Sequence, residues 1–308
     1  MKKLKILVTG GGGFIGRHIT KKLVSDGHYV TIVSTGSEPE SNAHKVLYTS
    51  LKEIDWKYVT GQDVVIHQMA NNDTRCMDTE EMYRTNFVGP IKLFDIAYKG
   101  GCRKFVYASS TAVYGNSPSP YTEESPIDPL TPYAFSKSEF DKYAMMFAKS
   151  CKNTSVIGLR YCNVYGPGED RKGKRMSMIG QMIRNILSKK KFCLFKDGTQ
   201  KRDWVYVDDV VQANILSMNS EKTGMYNIGS GKESCSFNQI IDTIYEEAKK
   251  MGKSLVNKED IVEYIDCPFP ESYQSNTENC IDKAIKELNY SPEYDLSSGI
   301  KKYIQSFE

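Results

Sequence analysis

The stretch "LKILVTGGGGFIGRH", residues 4–18, limits the possible folds more than any other part of the chain. An apolar run leads into four consecutive glycines, and a helical pattern opens directly after them at Phe14. Glycine loses more backbone freedom on folding than any other residue, so four in a row need a purpose. Two overlapping spacings supply one: Gly11-x-Gly13-x-x-Gly16 and Gly10-x-x-Gly13-x-x-Gly16 both satisfy the fingerprint of a dinucleotide-binding turn. One glycine turns off the strand, a second lets the backbone approach a pyrophosphate, and a third lets helix and strand pack closely. The helix N-terminus then faces the phosphate charge.

The surrounding pattern agrees with that reading. Apolar runs at 4–8, 29–33, 63–67, 104–108 and 155–159 alternate with stretches of helical spacing at 14–27, 79–100 and 136–150. Alternation of this kind predicts a parallel sheet covered by helices on both faces, with right-handed crossovers. Beyond about residue 165 the alternation loosens. Helical candidates at 176–190, 208–218, 236–252, 278–288 and 297–307 enclose short strand-like pieces at 191–195, 224–229 and 261–265. The expected organisation is a nucleotide-binding domain over 1–168, completed by about 204–228, and a smaller mixed α/β lobe over 169–308 that binds substrate.

Other features exclude classes of function. With 41 basic and 38 acidic residues the net charge is +3, which gives no electrostatic reason for a nucleic-acid or membrane partner. No stretch approaches 18 uninterrupted apolar residues, and the N-terminus reads as a buried first strand instead of a signal peptide. Eight cysteines stand singly without a CxxC, as expected of reduced thiols in a cytoplasmic protein. Four histidines without an HExxH pairing leave no metal site to expect.

At the end of the second strand a dinucleotide site often has an acid, which binds the adenosine ribose hydroxyls and repels a 2′-phosphate. Here Ser34 and Thr35 occupy that place, and the nearest base downstream is Lys45. Both NAD and NADP remain open, with the missing acid leaning toward NADP.

Tyr133-x-x-x-Lys137 places both side chains on one face of a predicted helix. An ammonium beside a phenol favours the phenolate, so the lysine is expected to lower the tyrosine pKa and make it a usable acid–base group. The same spacing occurs at Tyr48/Lys52 and Tyr245/Lys249, both read as surface pairs. Position distinguishes the first: it follows the strand in "KFVYASSTAVYG", whose serines emerge at a carboxyl end, where open α/β sheets bind ligands. Ser110, 23 residues before Tyr133, is placed to hydrogen-bond a reacting sugar oxygen.

Taken in order, "VTGGGGFIG", "VIHQMA", "VYASSTAVYG", "PYAFSK", "RYCNVYGPG" and "KRDWVYVDDV" resemble the extended short-chain dehydrogenase/reductase family of nucleotide-sugar enzymes. The resemblance implies a Rossmann-type doubly wound sheet, a nicotinamide in the N-terminal part and a nucleotide-diphospho-sugar under the C-terminal lobe. It implies Ser110, Tyr133 and Lys137 as catalytic residues. Gly10, Gly13, Phe14, Ile15, Gly16, Ser34, Thr35, Ala70 and Lys137 would line the cofactor. Thr111, Asn163, Arg202 and Tyr273 would contact the substrate, Asn163 and Arg202 at its nucleotide-diphosphate part.

Dehydratases of this family have an acid beside the catalytic hydroxyl to expel water, and this chain has Thr111-Ala112-Val113 there. Two further stretches, "YGPGEDRKGKRMSMI" and "VEYIDCPFPESYQ", resemble the ADP-glycero-manno-heptose 6-epimerases, with Lys172 on their second catalytic base. Flanking Arg171, Lys174 and Arg175 are expected to lower the pKa of Lys172 by like-charge repulsion. Ser272 stands in place of an arginine of that group, and Ser34-Thr35 in place of Asp-Asn, which leaves the base and the sugar open. The Lys189–Lys191 run reads as a solvated helix end.

The resulting expectation is a nucleotide-sugar epimerase, cytoplasmic and homodimeric, acting on a hexose or heptose by transient oxidation with bound NAD or NADP. A nucleotide-sugar 4-dehydrogenase or 4-keto reductase on the same scaffold is the alternative. A non-catalytic NAD(P)-binding sensor is the distant one.

Overall fold

The computed structural model describes residues 2–36, 42–74, 76, 78–268, 273–274 and 276–307. Ser272 lies outside these residues, as do the side chains of Arg171 and Lys174. Strands β1 (Lys5–Thr9), β2 (Tyr29–Ser34), β3 (Lys45–Tyr48), β4 (Val64–His67), β5 (Lys104–Ser110) and β6 (Ser155–Tyr161) occupy the first half. They are followed by β7 (Asn163–Tyr165), β8 (Phe192–Phe195), β9 (Lys201–Arg202), β10 (Trp204–Tyr206), β11 (Gly224–Ile228), β12 (Cys235–Ser236) and β13 (Val262–Ile265). The first-half helices are α1 (Phe14–Ser25), α2 (Thr79–Tyr83), α3 (Gly89–Lys99) and α4 (Pro132–Ala148). In the second half lie α5 (Met178–Leu187), α6 (Val207–Asn219), α7 (Phe237–Lys250), α8 (Lys258–Ile261), α9 (Asp282–Leu288) and α10 (Leu296–Gln305).

Seven strands form one parallel sheet in the order β11-β6-β5-β4-β1-β2-β3. This is the Rossmann-type doubly wound sheet. The runs Ile6-Leu7-Val8, Val64-Val65-Ile66 and Phe105-Val106-Tyr107 are buried, because helices cover both faces and leave no side of these strands to water. The chain leaves the sheet at the β3 edge and re-enters beside β1 as β4, so a crevice opens at the carboxyl ends of β1 and β4. Thr9 pairs in register with Val33 on one side and His67 on the other, and His67 with Tyr107. Ser109 and Ser110 therefore project beyond the end of β4, at the crevice.

Two local devices position the site. Thr131 caps α4 by accepting a hydrogen bond from the Ala134 amide at 3.2 Å, and Pro132 opens the helix, so Tyr133 falls in its first turn. The stretch 79–100, expected as one helix, is α2 and α3 joined through a π-helical turn at Arg84–Val88 that buries Asn86. Strand β3 is absent from the sequence reading. Its four residues are only partly buried and show no alternation, so neither period marks it.

A further core joins α5, α7 and α10 through Ile179, Ile183 and Ile186, Ile240, Ile241 and Ile244, and Ile300 and Ile304, at the spacing of single helix faces. It also takes in Phe14 and Tyr165, so it abuts the glycine turn. Smaller pairs, β7–β10, β8–β13 and β9–β12, connect this region. No helix among the described residues is long and apolar enough to cross a membrane.

Candidate active site

Gly10 and Gly16 are required by the backbone itself, each for a separate reason. Gly10 has φ +72°, and a Cβ there would stand 2.7 Å from the Met69 amide nitrogen. A Cβ on Gly16 would lie 2.0 Å from the Gly10 carbonyl oxygen, so α1 can approach its own turn only as glycine. Gly13 differs: it is exposed, and an added Cβ would meet only the Gly10 carbonyl oxygen at 3.1 Å. It caps α1 without a side-chain hydrogen bond, and the first turn has no acidic residue. The amides and dipole of that helix end face an open cradle suited to an anionic group. Phe14 is buried beneath it and Ile15 half-buried. These residues fit a dinucleotide.

Ser34 ends β2 and is buried, its Oγ accepting from the Gly36 amide at 3.4 Å, while Thr35 is exposed. Lys45 is not beside them. Register places it opposite Thr31, near the other end of the strand pair, and its ammonium lies 3.8 Å from the Tyr58 ring centroid. No clamp for a 2′-phosphate comes from that lysine. Ala70 is half-buried in the loop after β4, which Asn86 grips by accepting from the Asn71 amide at 2.8 Å and donating to its carbonyl at 2.9 Å. Asn86 also donates to Ser136 Oγ at 3.1 Å, coupling that loop to α4.

Ser110, Tyr133 and Lys137 come together at the end of β5. The Ser110 side chain hydrogen-bonds the Tyr133 phenol, and its Oγ accepts from the Ala112 amide at 3.2 Å. Lys137 is buried, with Nζ donating to the Ala108 carbonyl at 2.9 Å and lying 6.0 Å from the Tyr133 ring centroid. The expected lowering of the tyrosine pKa is not what the structure gives. Desolvation pushes the Tyr133 phenol up, against the Ser110 hydrogen bond that pulls it down. Burial also brings Lys137 down from 10.5 to about 8, with the Asp141 carboxylate opposing. Tyr48 and Lys52 are exposed, and Lys249 of the third Tyr/Lys pair is exposed too, in keeping with surface pairs.

Sequence reasoning missed two buried titratable groups here. His67 Nδ1 lies 2.6 Å from Thr9 Oγ1, and burial, reinforced by the Lys137 charge, holds its pKa down at about 3, so the ring is neutral. Asp141, one turn beyond Lys137, is buried and paired with Arg160.

Thr111 follows Ser110, but its hydroxyl donates to the Tyr161 carbonyl at 3.2 Å, a tie between β5 and β6. Asn163 Nδ2 donates to the Asp203 carbonyl at 3.0 Å. The adjacent Arg202 guanidinium stands 5.1 Å from the Tyr273 ring centroid and 5.9 Å from that of Phe237, and it donates to the Gln274 carbonyl. Arg202 and Tyr273 are thus in contact, Asn163 is tied to the carbonyl of Asp203, next in the chain to Arg202, and Thr111 is tied to the end of β6.

Lys172 has a different setting from the one its sequence neighbours implied. Its Nζ lies 3.4 Å from Glu169 Oε2 and 5.0 Å from the Phe14 ring centroid. Glu169 is fully buried and accepts from the Ser177 amide at 2.7 Å and the Ser177 hydroxyl at 2.6 Å. Arg175 turns away and donates to Asn72 Oδ1 at 3.2 Å. Among the described residues, Lys172 is paired with a carboxylate, and the turn holding it leans on both the start of α1 and the loop after β4. The Lys189–Lys191 run is exposed.

This geometry has counterparts among known proteins. A family described as the NAD dependent epimerase/dehydratase family matches residues 6–229. The putative UDP-glucose 4-epimerase of Methanocaldococcus jannaschii is 35% identical over 314 residues, which span 97% of each chain. The ADP-L-glycero-D-manno-heptose-6-epimerase of Brachyspira hyodysenteriae is 31% identical over 325 residues, 98% of each chain. Among solved structures, the UDP-N-acetylglucosamine 4-epimerase from Methanobrevibacter ruminantium, in complex with UDP-N-acetylmuramic acid, superposes with a TM-score of 0.90 at 27% identity. It covers 100% of this chain and 99% of its own.

Proposed function

The chain belongs to the NAD-dependent epimerase/dehydratase family, and on that footing we propose that it inverts a carbon of a nucleotide-diphospho-sugar by transient oxidation with bound NAD. One observation carries the choice of epimerase over dehydratase. Ser110, Tyr133 and Lys137 meet at the carboxyl end of β5, and the turn that follows has no carboxylate: Thr111 is tied to Tyr161, and Ala112 and Val113 complete it. Elimination of water needs an acid at that turn; inversion through a ketone does not.

When bound, the nicotinamide supplies the acceptor and later the donor of the hydride exchanged with the sugar carbon. The chain supplies the rest. Tyr133 takes the hydroxyl proton and returns it, and Ser110 holds the reacting oxygen. Lys137, its ammonium 6.0 Å from the Tyr133 ring centroid, favours the phenolate by its positive charge. Gly10, Gly13 and Gly16 with Phe14, Ile15 and Ala70 seat the cofactor, and Ser34 and Thr35 receive its ribose. NAD suits the absence of a base at Ser34, since Lys45 is engaged on Tyr58. Asn163, Arg202 and Tyr273 grip the nucleotide-diphosphate part, with Thr111 at the floor of the sugar site. Lys172 acts as the second proton-handling group, on a turn that leans over the cofactor cradle. Residues 1–168 with 204–228 bind the cofactor and 169–308 the substrate. Exposed Val88, Phe135 and Met146 support a homodimer through the helices around α3 and α4, and the scattered thiols suit a cytoplasmic enzyme.

The test is incubation with UDP-, ADP- and GDP-linked hexoses and heptoses, followed by NMR of the product and absorbance of the cofactor. The expected result is conversion of one nucleotide sugar into its epimer without net formation of reduced NAD. Stoichiometric reduced cofactor, with an oxidised sugar as product, would replace the epimerase by a dehydrogenase.

A further inference from the structure

We propose that Asp141 is a positioning residue of this reaction centre, its carboxylate clamping α4 to β5 and placing a negative charge on the face of α4 that bears Lys137. The inference rests on the roles given above to Tyr133 and Lys137.

Asp141 stands four residues beyond Lys137 and eight beyond Tyr133, so the three side chains line one face of α4. Three successive residues of β5 hold that face. The Ala108 carbonyl accepts from Lys137 Nζ at 2.9 Å, the Ser109 hydroxyl donates to Asp141 Oδ2 at 2.9 Å, and Ser110 bonds Tyr133. The middle bond fixes the rotation of the helix about its axis, and with it the approach of the phenol to Ser110. Asp141 Oδ2 also accepts from Arg160 Nε at 3.0 Å, and Arg160 Nη1 donates on to the Tyr114 hydroxyl at 2.9 Å. The Tyr107 hydroxyl, which donates to Met225 Sδ at 3.1 Å, also faces this carboxyl.

A buried ion pair is weak evidence for a purely stabilising role, because apolar residues of similar volume commonly do as well. What apolar residues cannot supply is a charge beside Lys137. The other ionisable groups around Asp141 and Lys137 are Tyr133 on α4, His67 on β4, Tyr107 on β5 and Arg160 on β6, with Tyr114 and Glu123 beyond, facing Arg160. His67 is neutral, and of Asp141 and Arg160 only Asp141 acts on Lys137.

The experiment is a pH titration of lysine side chains labelled with ¹³C at Cε, in the full chain, by NMR. The Lys137 signal is recognised by its loss in Lys137→Met. Removing a negative charge makes protonation harder, so Asp141→Asn should lower the Lys137 midpoint by about one pH unit. Asp141→Glu, which keeps the charge, should leave it within a few tenths. The alkaline limb of the turnover profile should move to lower pH by the same amount in Asp141→Asn, with KM for the sugar changed less than about two-fold. If Asp141→Asn does not fold, Asp141→Asn with Arg160→Gln removes the ion pair whole, so that Arg160 is not left without its counter-ion, and should give the same acid displacement. An unmoved midpoint, or equal displacement in the Asn and Glu variants, overturns the proposal. The titration needs no substrate, so an absence of turnover on every nucleotide sugar would count against the epimerase reading alone.

Discussion

Replacing Lys137 with methionine should make the protein more stable and at the same time inactive. The lysine is 4% exposed, and burial brings its pKa from 10.5 to about 8. Holding the charge in the folded chain at pH 7 therefore costs about 3 kcal/mol relative to water. Methionine fills a similar volume without that cost and forfeits the hydrogen bond to the Ala108 carbonyl, worth about 1.5 kcal/mol for a charged donor. Asp141 keeps Arg160 as its main counter-charge. The net gain is about 1–2 kcal/mol, a rise of a few degrees in Tm for a chain of this size. The sign of the pH dependence follows from the same values. The folded pKa lies below the unfolded one, so between pH 8 and 10.5 the unfolded chain binds more protons, and wild-type stability rises with pH across that window. The penalty is complete below pH 8 and gone above 10.5. Urea unfolding at pH 7, 8.5 and 10.5 should thus show the methionine variant ahead at pH 7 and its advantage lost at 10.5. A variant less stable than wild type at pH 7, or a difference that ignores pH, would refute the reasoning.

Tyr133→Phe should lower turnover by roughly 10²–10⁴ while nucleotide-sugar affinity, measured by calorimetry, stays within a few-fold, because only the proton-carrying hydroxyl is lost. Gly16→Ala must force α1 away from a carbonyl oxygen 2.0 Å from the new carbon; it should cost about 1–3 kcal/mol in denaturant unfolding and abolish retention of NAD on purification. Lys172→Met should reduce net inversion at least about 100-fold and still allow reduced cofactor to form on substrate addition, as loss of a second proton-handling group requires. Parallel loss of both would reduce Lys172 to a binding contact.

The parts of this molecule that were legible in the sequence are those encoded by local spacing. The glycine turn, the doubly buried strands and the Tyr133/Lys137 pair depend on residues a few positions apart. Strand β3 escaped because an edge strand of three half-buried residues and one exposed one has no period to detect. Asn86 escaped because its meaning lies in Asn71 and Ser136, 15 and 50 residues away. Asp141 was within reach, one helical turn from Lys137, yet its burial depends on Ser109 and Arg160 from two strands. One electrostatic expectation failed for a reason a sequence does not record. The tyrosine's neighbours were counted and its desolvation was not, so the direction of its shift came out reversed. The contact of Lys172 with Glu169, three residues back, was also within reach of local spacing, but the burial of that carboxylate was not.

The position of β11 bears on how the chain is made. This strand completes the central sheet, pairing with β6 from Gly224 to Ile228, yet it follows a long excursion through β7–β10 and α5. A chain emerging from the ribosome exposes β6, seven buried residues in the finished fold, long before its outer partner exists. During that interval an apolar strand edge is open to any other extended chain. The weaving that joins the two halves into one body therefore also fixes a period of synthesis, between residues 161 and 228, in which the protein depends on its surroundings to stay apart from its neighbours.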